Sequence, residues 1–227
     1  MSSAKSSQSA AKKRLLIVDD HPMMRDGLTQ LITNEPDLVI CGEAGTGREA
    51  YELAGKLRPD LLLADISLPD KNGLELIKDL QSVHPGMSVL VISMHDESLY
   101  AERVLRAGAR GYIMKQEGGK KLMDAIRKVL SGQIYVSEKI SSKILESITG
   151  AVEESPRRSL ENLTDREFEV LQLLGEGKGT REVATHLSLS GKTVEAHRAN
   201  IKRKLHLASG AELVRYAVRW VETQRLG

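Results

Sequence analysis

Cysteine occurs once in the 227 residues, at position 41, so no disulfide can form within the chain. That suits a reducing compartment and a cytoplasmic location. Cys41 lies in an apolar stretch and reads as a small core hydrophobe rather than a reactive thiol. No uninterrupted apolar run approaches the roughly 20 residues that span a bilayer, so no membrane partner is expected. Residues 1–13 are rich in Ser, Ala and Lys without an apolar segment, which argues against a signal peptide and for a disordered lead. Aromatic residues make up only 3% of the chain, with one Phe and one Trp. Unpaired bases need stacking platforms, so single-stranded nucleic acid is a poor ligand for this composition. A strong excess of either charge is also missing: 33 Lys and Arg face 31 Asp and Glu.

The charge is nevertheless divided unevenly. From residue 156 onward there are 13 Lys and Arg against 9 Asp and Glu, and the remainder holds 20 against 22. An acidic first part and a basic last part suggest different partners. The length allows two domains, each able to bury its own core.

Along residues 14–132, short apolar runs alternate with helical patterns. Strands are expected at 14–18, 38–41, 61–64, 89–92 and 111–114. Helices are expected at 22–32, 47–57, 99–107 and 122–130, and another begins over 74–80. Continuous apolar strands between helices indicate a parallel sheet covered on both faces. Residues 133–162 read as a linker with a helix over 137–148; the stretch from 150 carries Glu153, Glu154, Pro156, Arg157 and Arg158 and few apolar residues. Residues 163–227 read as wholly helical. Thr164 and Glu167 have capping-box spacing, and helices are expected to 174, over 181–187, 192–205 and 211–221.

The notable polar residues of the first part fall at the carboxyl ends of the expected strands: Asp19 and Asp20, Asp65, Ser93 and Lys115. In an open parallel sheet those ends share one edge, where ligands bind. Three clustered carboxylates repel one another at neutral pH, and a hard divalent cation relieves this. Few protein ligands plus several waters suit Mg²⁺. A carboxylate there is placed to attack a phosphoryl group, with Lys115 holding its oxygens. Any one of these residues alone reads as a turn, a cap or a solvated side chain; the five together do not.

Residues 14–132 resemble a receiver domain. The resemblance is carried by Leu-Ile-Val-Asp-Asp at 16–20, Asp-Ile-Ser-Leu-Pro-Asp-Lys-Asn-Gly at 65–73, Ser93, Ala-Gly-Ala at 107–109, Gly-Tyr at 111–112 and Lys115. It implies a flavodoxin-like α/β fold with a five-stranded parallel sheet and Asp65 as the phosphoacceptor. Asp19, Asp20 and Asp65, with the backbone carbonyl of Ser67, would hold the metal. Lys115 would pair with the phosphoryl group, Ser93 would move to bond it, and Tyr112 would follow inward. Tyr112 as simple packing stays open. Asp-Asp-His-Pro at 19–22 and Arg-Asp-Gly-Leu at 25–28 point to the NarL/FixJ type of response regulator.

Residues 180–205 combine a short helix, a turn at 189–191 and a longer helix. Lys192, Glu195, Arg198, Ala199 and Lys202 lie opposite Val194, Ile201 and Leu205, so one face packs and the other is free for a major groove or for solvent. Leu-Thr-Asp-Arg-Glu at 163–167, Thr-Val-Glu-Ala-His at 193–197, Asn200, Ile201, Lys204 and Leu205 resemble the LuxR-type four-helix, helix-turn-helix DNA-binding domain. Glu195, Ala196 and Ala199 are expected toward the bases. Lys192, Thr193, His197, Arg198 and Lys202 are expected toward phosphates. Glu195 has two open roles: accepting from a cytosine amino group, or pairing with Arg198 or Lys202.

The expected function is phosphorylation-controlled transcription regulation. A histidine kinase would supply the phosphoryl group, and duplex DNA would be bound by a homodimer. The dimer would pair through the last helix, where Leu213, Val214, Ala217, Val218 and Val221 otherwise belong to the domain's own core. The chain is not expected to be an enzyme beyond self-phosphorylation and slow self-dephosphorylation. A metal-dependent phosphohydrolase using Asp65 is disfavoured because no second acid/base residue or cap domain is evident. A constitutive DNA-binding protein is disfavoured because every acidic-site group is present.

Overall fold

The computed structural model describes residues 11–148, 160 and 162–226. Residues 1–10 of the expected lead, and 149–159 and 161 of the expected linker, lie outside the described residues. The first part runs β1 (Lys13–Val18), α1 (Pro22–Thr33), β2 (Leu38–Ala44), α2 (Gly47–Leu57), β3 (Leu61–Ala64), α3 (Gly73–Val83), β4 (Ser88–Ser93), α4 (Glu97–Arg106), β5 (Gly111–Met114), α5 (Gly119–Leu130) and α6 (Glu138–Ile148). The helices start where the sequence offers caps. Pro22 opens α1, and the side chains of Thr46, Asn72 and Asp96 accept the first free amides of α2, α3 and α4.

All strand pairs are parallel, in the order β2-β1-β3-β4-β5. This is the flavodoxin-like order, for which ligands are expected at the carboxyl edge. Alternate side chains serve opposite faces. Leu15, Ile17, Leu61, Leu63, Leu90 and Ile113 pack with Leu28, Ile32 and Ile126 of α1 and α5. Leu16, Val18, Leu62, Val89 and Val91 pack with Ala50, Leu76, Ile77 and Val104 of α2, α3 and α4. Each fully buried Leu or Ile contributes about 1.5–3 kcal/mol. Val18 pairs with Ala64, Ala64 with Val91, and Ser93 with Met114. The strands therefore end in step, and Asp19, Asp65, Ser93 and Lys115 arrive at one edge. Beyond Gly132 the chain stays with the sheet: Tyr135 bridges to Gly111 and accepts the Tyr112 amide.

The second part is α7 (Asp165–Gly175), α8 (Thr180–His186), α9 (Gly191–Lys204) and α10 (Gly210–Leu226). Both arms of the Thr164–Glu167 capping box are formed. Buried Glu167 also accepts from Lys204 at 2.7 Å, tying the start of α7 to the end of α9. Helices α7 and α10 cross closely at Gly175, where a β-carbon would lie 2.5 Å from the Ala217 carbonyl oxygen. Leu213, Ala217 and Val221 of α10 are buried in this domain's own core, leaving Val214 exposed and Val218 half-buried.

The two parts are packed together. Arg103 of α4 donates to the carbonyls of Leu160 (2.6 Å) and Leu163 (3.2 Å) and to Asp165 (3.2 Å), and its guanidinium covers the Phe168 ring at 4.1 Å. Lys78 of α3 pairs with the other Asp165 oxygen at 2.7 Å. Tyr100 meets Phe168 edge-on, and Phe168 meets Trp220 the same way. Glu169 faces this contact, almost fully buried beside Arg166. Burial holds its carboxyl above the usual range, which Arg166 only partly offsets. A folded-state value above the unfolded one means stability from this group is present at low pH and is lost as pH rises through the raised value. Glu169→Gln is therefore expected to raise the melting temperature at neutral pH, with the difference vanishing below about pH 4.

Candidate functional site

The carboxyl edge of the sheet brings together four potential ligand side chains. One oxygen or nitrogen from each of Asp19, Asp20, His21 and Asp65 lies within 4.8 Å of the others. Asp19 and Asp65 are buried at 2% and 5% exposure, while Asp20 and His21 are open to solvent. Lys115 closes the inner side. Its ammonium lies 2.6 Å from Asp19 and 2.7 Å from Asp65. Burial works against this cation, but Asp65 and Asp19 outweigh it and hold Lys115 above its ordinary value. The reverse holds for Asp65: burial pushes its carboxyl above the carboxylate range, and Lys115 offsets only part.

Local backbone geometry fixes these groups. The His21 amide donates to Asp19 at 2.9 Å, and the His21 ring pairs with Asp20 at 2.6 Å. The Ser67 amide donates to the other side of Asp65 at 3.3 Å. Behind that loop, Gly73 leaves no room for a side chain; a β-carbon would sit 2.6 Å from the Asp65 carbonyl oxygen. Ser93 is fully buried, and its hydroxyl accepts the His95 amide. Tyr112 is also fully buried, donating to the His95 carbonyl at 2.8 Å. The inward movement implied by the receiver resemblance therefore has no outward starting point here. The ring already fills the space beneath the β4–α4 loop.

The second group of expected residues lies on α9. Ser190 caps the helix by accepting the Thr193 amide, and the two hydroxyls bond at 2.7 Å. Lys192, Glu195, Ala196 and Ala199 are exposed; Thr193, His197, Arg198 and Lys202 are half-buried. Glu195 accepts from Thr180 at 2.7 Å and from Arg198 at 3.1 Å, and Arg198 also reaches the Thr180 hydroxyl. Burial pushes the His197 imidazole below its ordinary value. The face of α9 opposite Val194 and Ile201 stays open to solvent with the two domains packed.

Sequence reasoning missed His21 as a potential ligand and missed His95, Tyr100, Arg103 and Gln172 as the groups between the domains. Removing the shared cation tests the pocket's electrostatics. Lys115→Met is expected to cost about 3 kcal/mol in denaturant unfolding at neutral pH, because two buried carboxylates lose their partner. Adding Asp19→Asn should recover part of that loss.

Comparison with known proteins agrees with this architecture. Residues 15–127 match the response regulator receiver domain family, and residues 161–217 match the bacterial regulatory proteins of the luxR family. The transcriptional regulatory protein DegU of Brevibacillus brevis is 32% identical over 94% of this chain and 97% of its own. The oxygen regulatory protein NreC of Staphylococcus carnosus is 34% identical over 91% and 97%. Among solved structures, the RcsB response regulator of Salmonella typhimurium is 25% identical over 92% of this chain and 98% of its own, with a TM-score of 0.65. RcsB bound to a promoter with a phosphomimetic is 26% identical over 91% and 98%, with a TM-score of 0.62. No helix among the described residues is long and apolar enough to cross a membrane. The chain belongs to the LuxR-type response regulators, transcription regulators that join a receiver domain to a helix-turn-helix DNA-binding domain.

Proposed function

We propose that Asp65 is the phosphoacceptor of this receiver and that a histidine kinase supplies the phosphoryl group. A carboxylate oxygen of Asp65 attacks phosphorus, the phosphorus–nitrogen bond of the kinase's phosphohistidine breaks, and an acyl phosphate forms. The observation that carries this reading is the buried Asp65 carboxylate sharing one ammonium with Asp19 at the carboxyl edge of a parallel sheet. Lys115 is close enough to transfer its bond from Asp65 to a phosphoryl oxygen. Receiver domains bind Mg²⁺ at an acidic pocket, and the oxygen-rich set here fits a hard cation. Asp19, Asp20, Asp65 and the Ser67 carbonyl would hold it. Bound there, the cation neutralises charge on the transferring group. Ser93 and Tyr112 are the proposed switch residues, Tyr112 acting from its buried position. Beyond self-phosphorylation and slow self-hydrolysis the chain carries no further enzyme chemistry.

Residues 14–132 and 163–227 are the proposed domains, joined by 133–162, in a cytoplasmic protein that binds duplex DNA as a dimer. Because Leu213, Ala217 and Val221 serve the domain's own core, pairing through α10 rests on Val214, Val218 and their polar neighbours. Lys192, Thr193, His197, Arg198 and Lys202 are assigned to phosphates, and Ala196 and Ala199 to the base edges. For Glu195 the bonds to Thr180 and Arg198 favour holding Arg198 over reading a base.

Treatment with Mg²⁺ and a small phosphodonor, followed by mass spectrometry, is expected to place one phosphoryl group on Asp65 and none on Asp65→Asn. An adduct mapping to another residue would refute the assignment. For the DNA face, selection from random duplexes is expected to yield the same motif from native and Glu195→Ala proteins, with the variant weaker on every sequence. Lys202→Ala should flatten the salt dependence by about one unit of slope.

A further inference from the structure

We propose that His95 is the positioning residue that carries the state of the Asp65 pocket to the DNA-binding domain. This rests on Asp65 as the phosphoacceptor. His95 sits on the β4–α4 loop, and every polar group it has is engaged. Its Nε2 lies 2.9 Å from the Ser67 hydroxyl, and its Nδ1 lies 3.2 Å from the Gln172 side-chain amide on α7. Its backbone amide donates to Ser93 at 3.2 Å, and its carbonyl accepts from Tyr112 at 2.8 Å. One residue therefore touches the loop next to Asp65, both proposed switch hydroxyls and the first helix of the output domain.

The hydrogen-bond directions are consistent. The Gln172 oxygen accepts from the Tyr100 hydroxyl at 2.6 Å, so its NH₂ faces His95 and Glu176. That NH₂ donates to Nδ1, which leaves the proton on Nε2 to donate to Ser67. The imidazole itself is half-buried. The Tyr100 ring supports it with centroids 4.8 Å apart. Ser67 in turn donates its amide to Asp65. A phosphoryl group on Asp65 thus perturbs His95 through Ser67 and, if Ser93 turns toward phosphate, through its backbone as well. Once His95 shifts, Gln172 loses a partner at a buried contact. Further bonds of the contact, from Arg103 and Lys78 to Asp165 and from Arg103 to the carbonyls before α7, lie at its other end. Since the exposed face of α9 is not covered in the packed state, His95 governs how the DNA-binding domain is held, not whether α9 is covered.

The test uses the full chain with beryllium fluoride and Mg²⁺ as the probe. Fluorine NMR reports the adduct on Asp65, and small-angle scattering reports domain separation. Native protein is expected to form the adduct and expand. His95→Phe keeps the stack on Tyr100 but removes both ring bonds, and Gln172→Leu cuts the same link from the other domain. Both are expected to form the adduct yet lose the adduct-dependent expansion, and the double variant should lose no more than either single one. Lys78→Ala, at the far end of the contact, should keep the response. Native-like expansion of both His95→Phe and Gln172→Leu would overturn the proposal. An adduct on native protein without expansion would overturn the link alone; no adduct on Asp65 would overturn the site reading and the link together.

Discussion

Two carboxylates buried within reach of one ammonium set the terms for the receiver half. Asp19 and Asp65 are almost sealed from water, and the Lys115 ammonium pairs with both. A third carboxylate, Asp20, lies at the solvent side. One ammonium cannot by itself balance three carboxylates; the Arg25 guanidinium, bonded to the Asp19 carbonyl, and the His21 ring, paired with Asp20, share the same edge. The sheet register enforces this, because it ends β1 and β3 in step and brings β5 alongside β4. Close packing at Gly73 then fixes the loop that follows Asp65. The strain is electrostatic, and a cation or a chemical change at Asp65 relieves it.

The DNA-binding half is organised by smaller ionic links. Glu167 joins the amide of Thr164 to Lys204, and burial of that carboxyl is outweighed by these partners, which hold it below its usual value. The start of α7 and the end of α9 are therefore tied to the same carboxylate. On the outer face Thr180, Glu195 and Arg198 bond to one another. A guanidinium held this way loses less rotamer freedom on meeting a phosphate than a free one.

Much of this was legible in the residues. Apolar runs ending at Asp19, Asp65, Ser93 and Lys115 gave both the parallel sheet and the pocket, because position at a strand end is a local property that topology makes collective. Thr164 and Glu167 announced their helix start for the same reason: the capping box is complete within four residues. Strand and helix ends were less exact. β2 runs on to Ala44, past the apolar residues that marked it. The contact between domains left no trace in periodicity. Tyr100 and Gln172 are 72 positions apart and Arg103 and Asp165 are 62, and each reads by itself as an ordinary helix residue. Likewise the apolar stripe on α10 does not say whether it faces its own domain or a second copy; the crossing at Gly175 decides that for Leu213, Ala217 and Val221.

The chemistry of that contact bears on what it can do. Its aromatic centre, Tyr100 with Phe168 and Trp220, belongs to an apolar cluster shared by both domains, and the hydrogen bonds around it run through charged or amide groups. A hydrogen bond across such a surface contributes about 1 kcal/mol net, since water replaces it when the surfaces part. Apolar burial of the same extent would hold more firmly and would be indifferent to the state of Asp65. A polar contact is both releasable and directional: moving one partner by an ångström removes its bond while leaving the others. Placing one such bond on the β4–α4 loop, at His95, within two residues of Ser93 and directly against Ser67, puts a directional link of the contact beside the charged pocket.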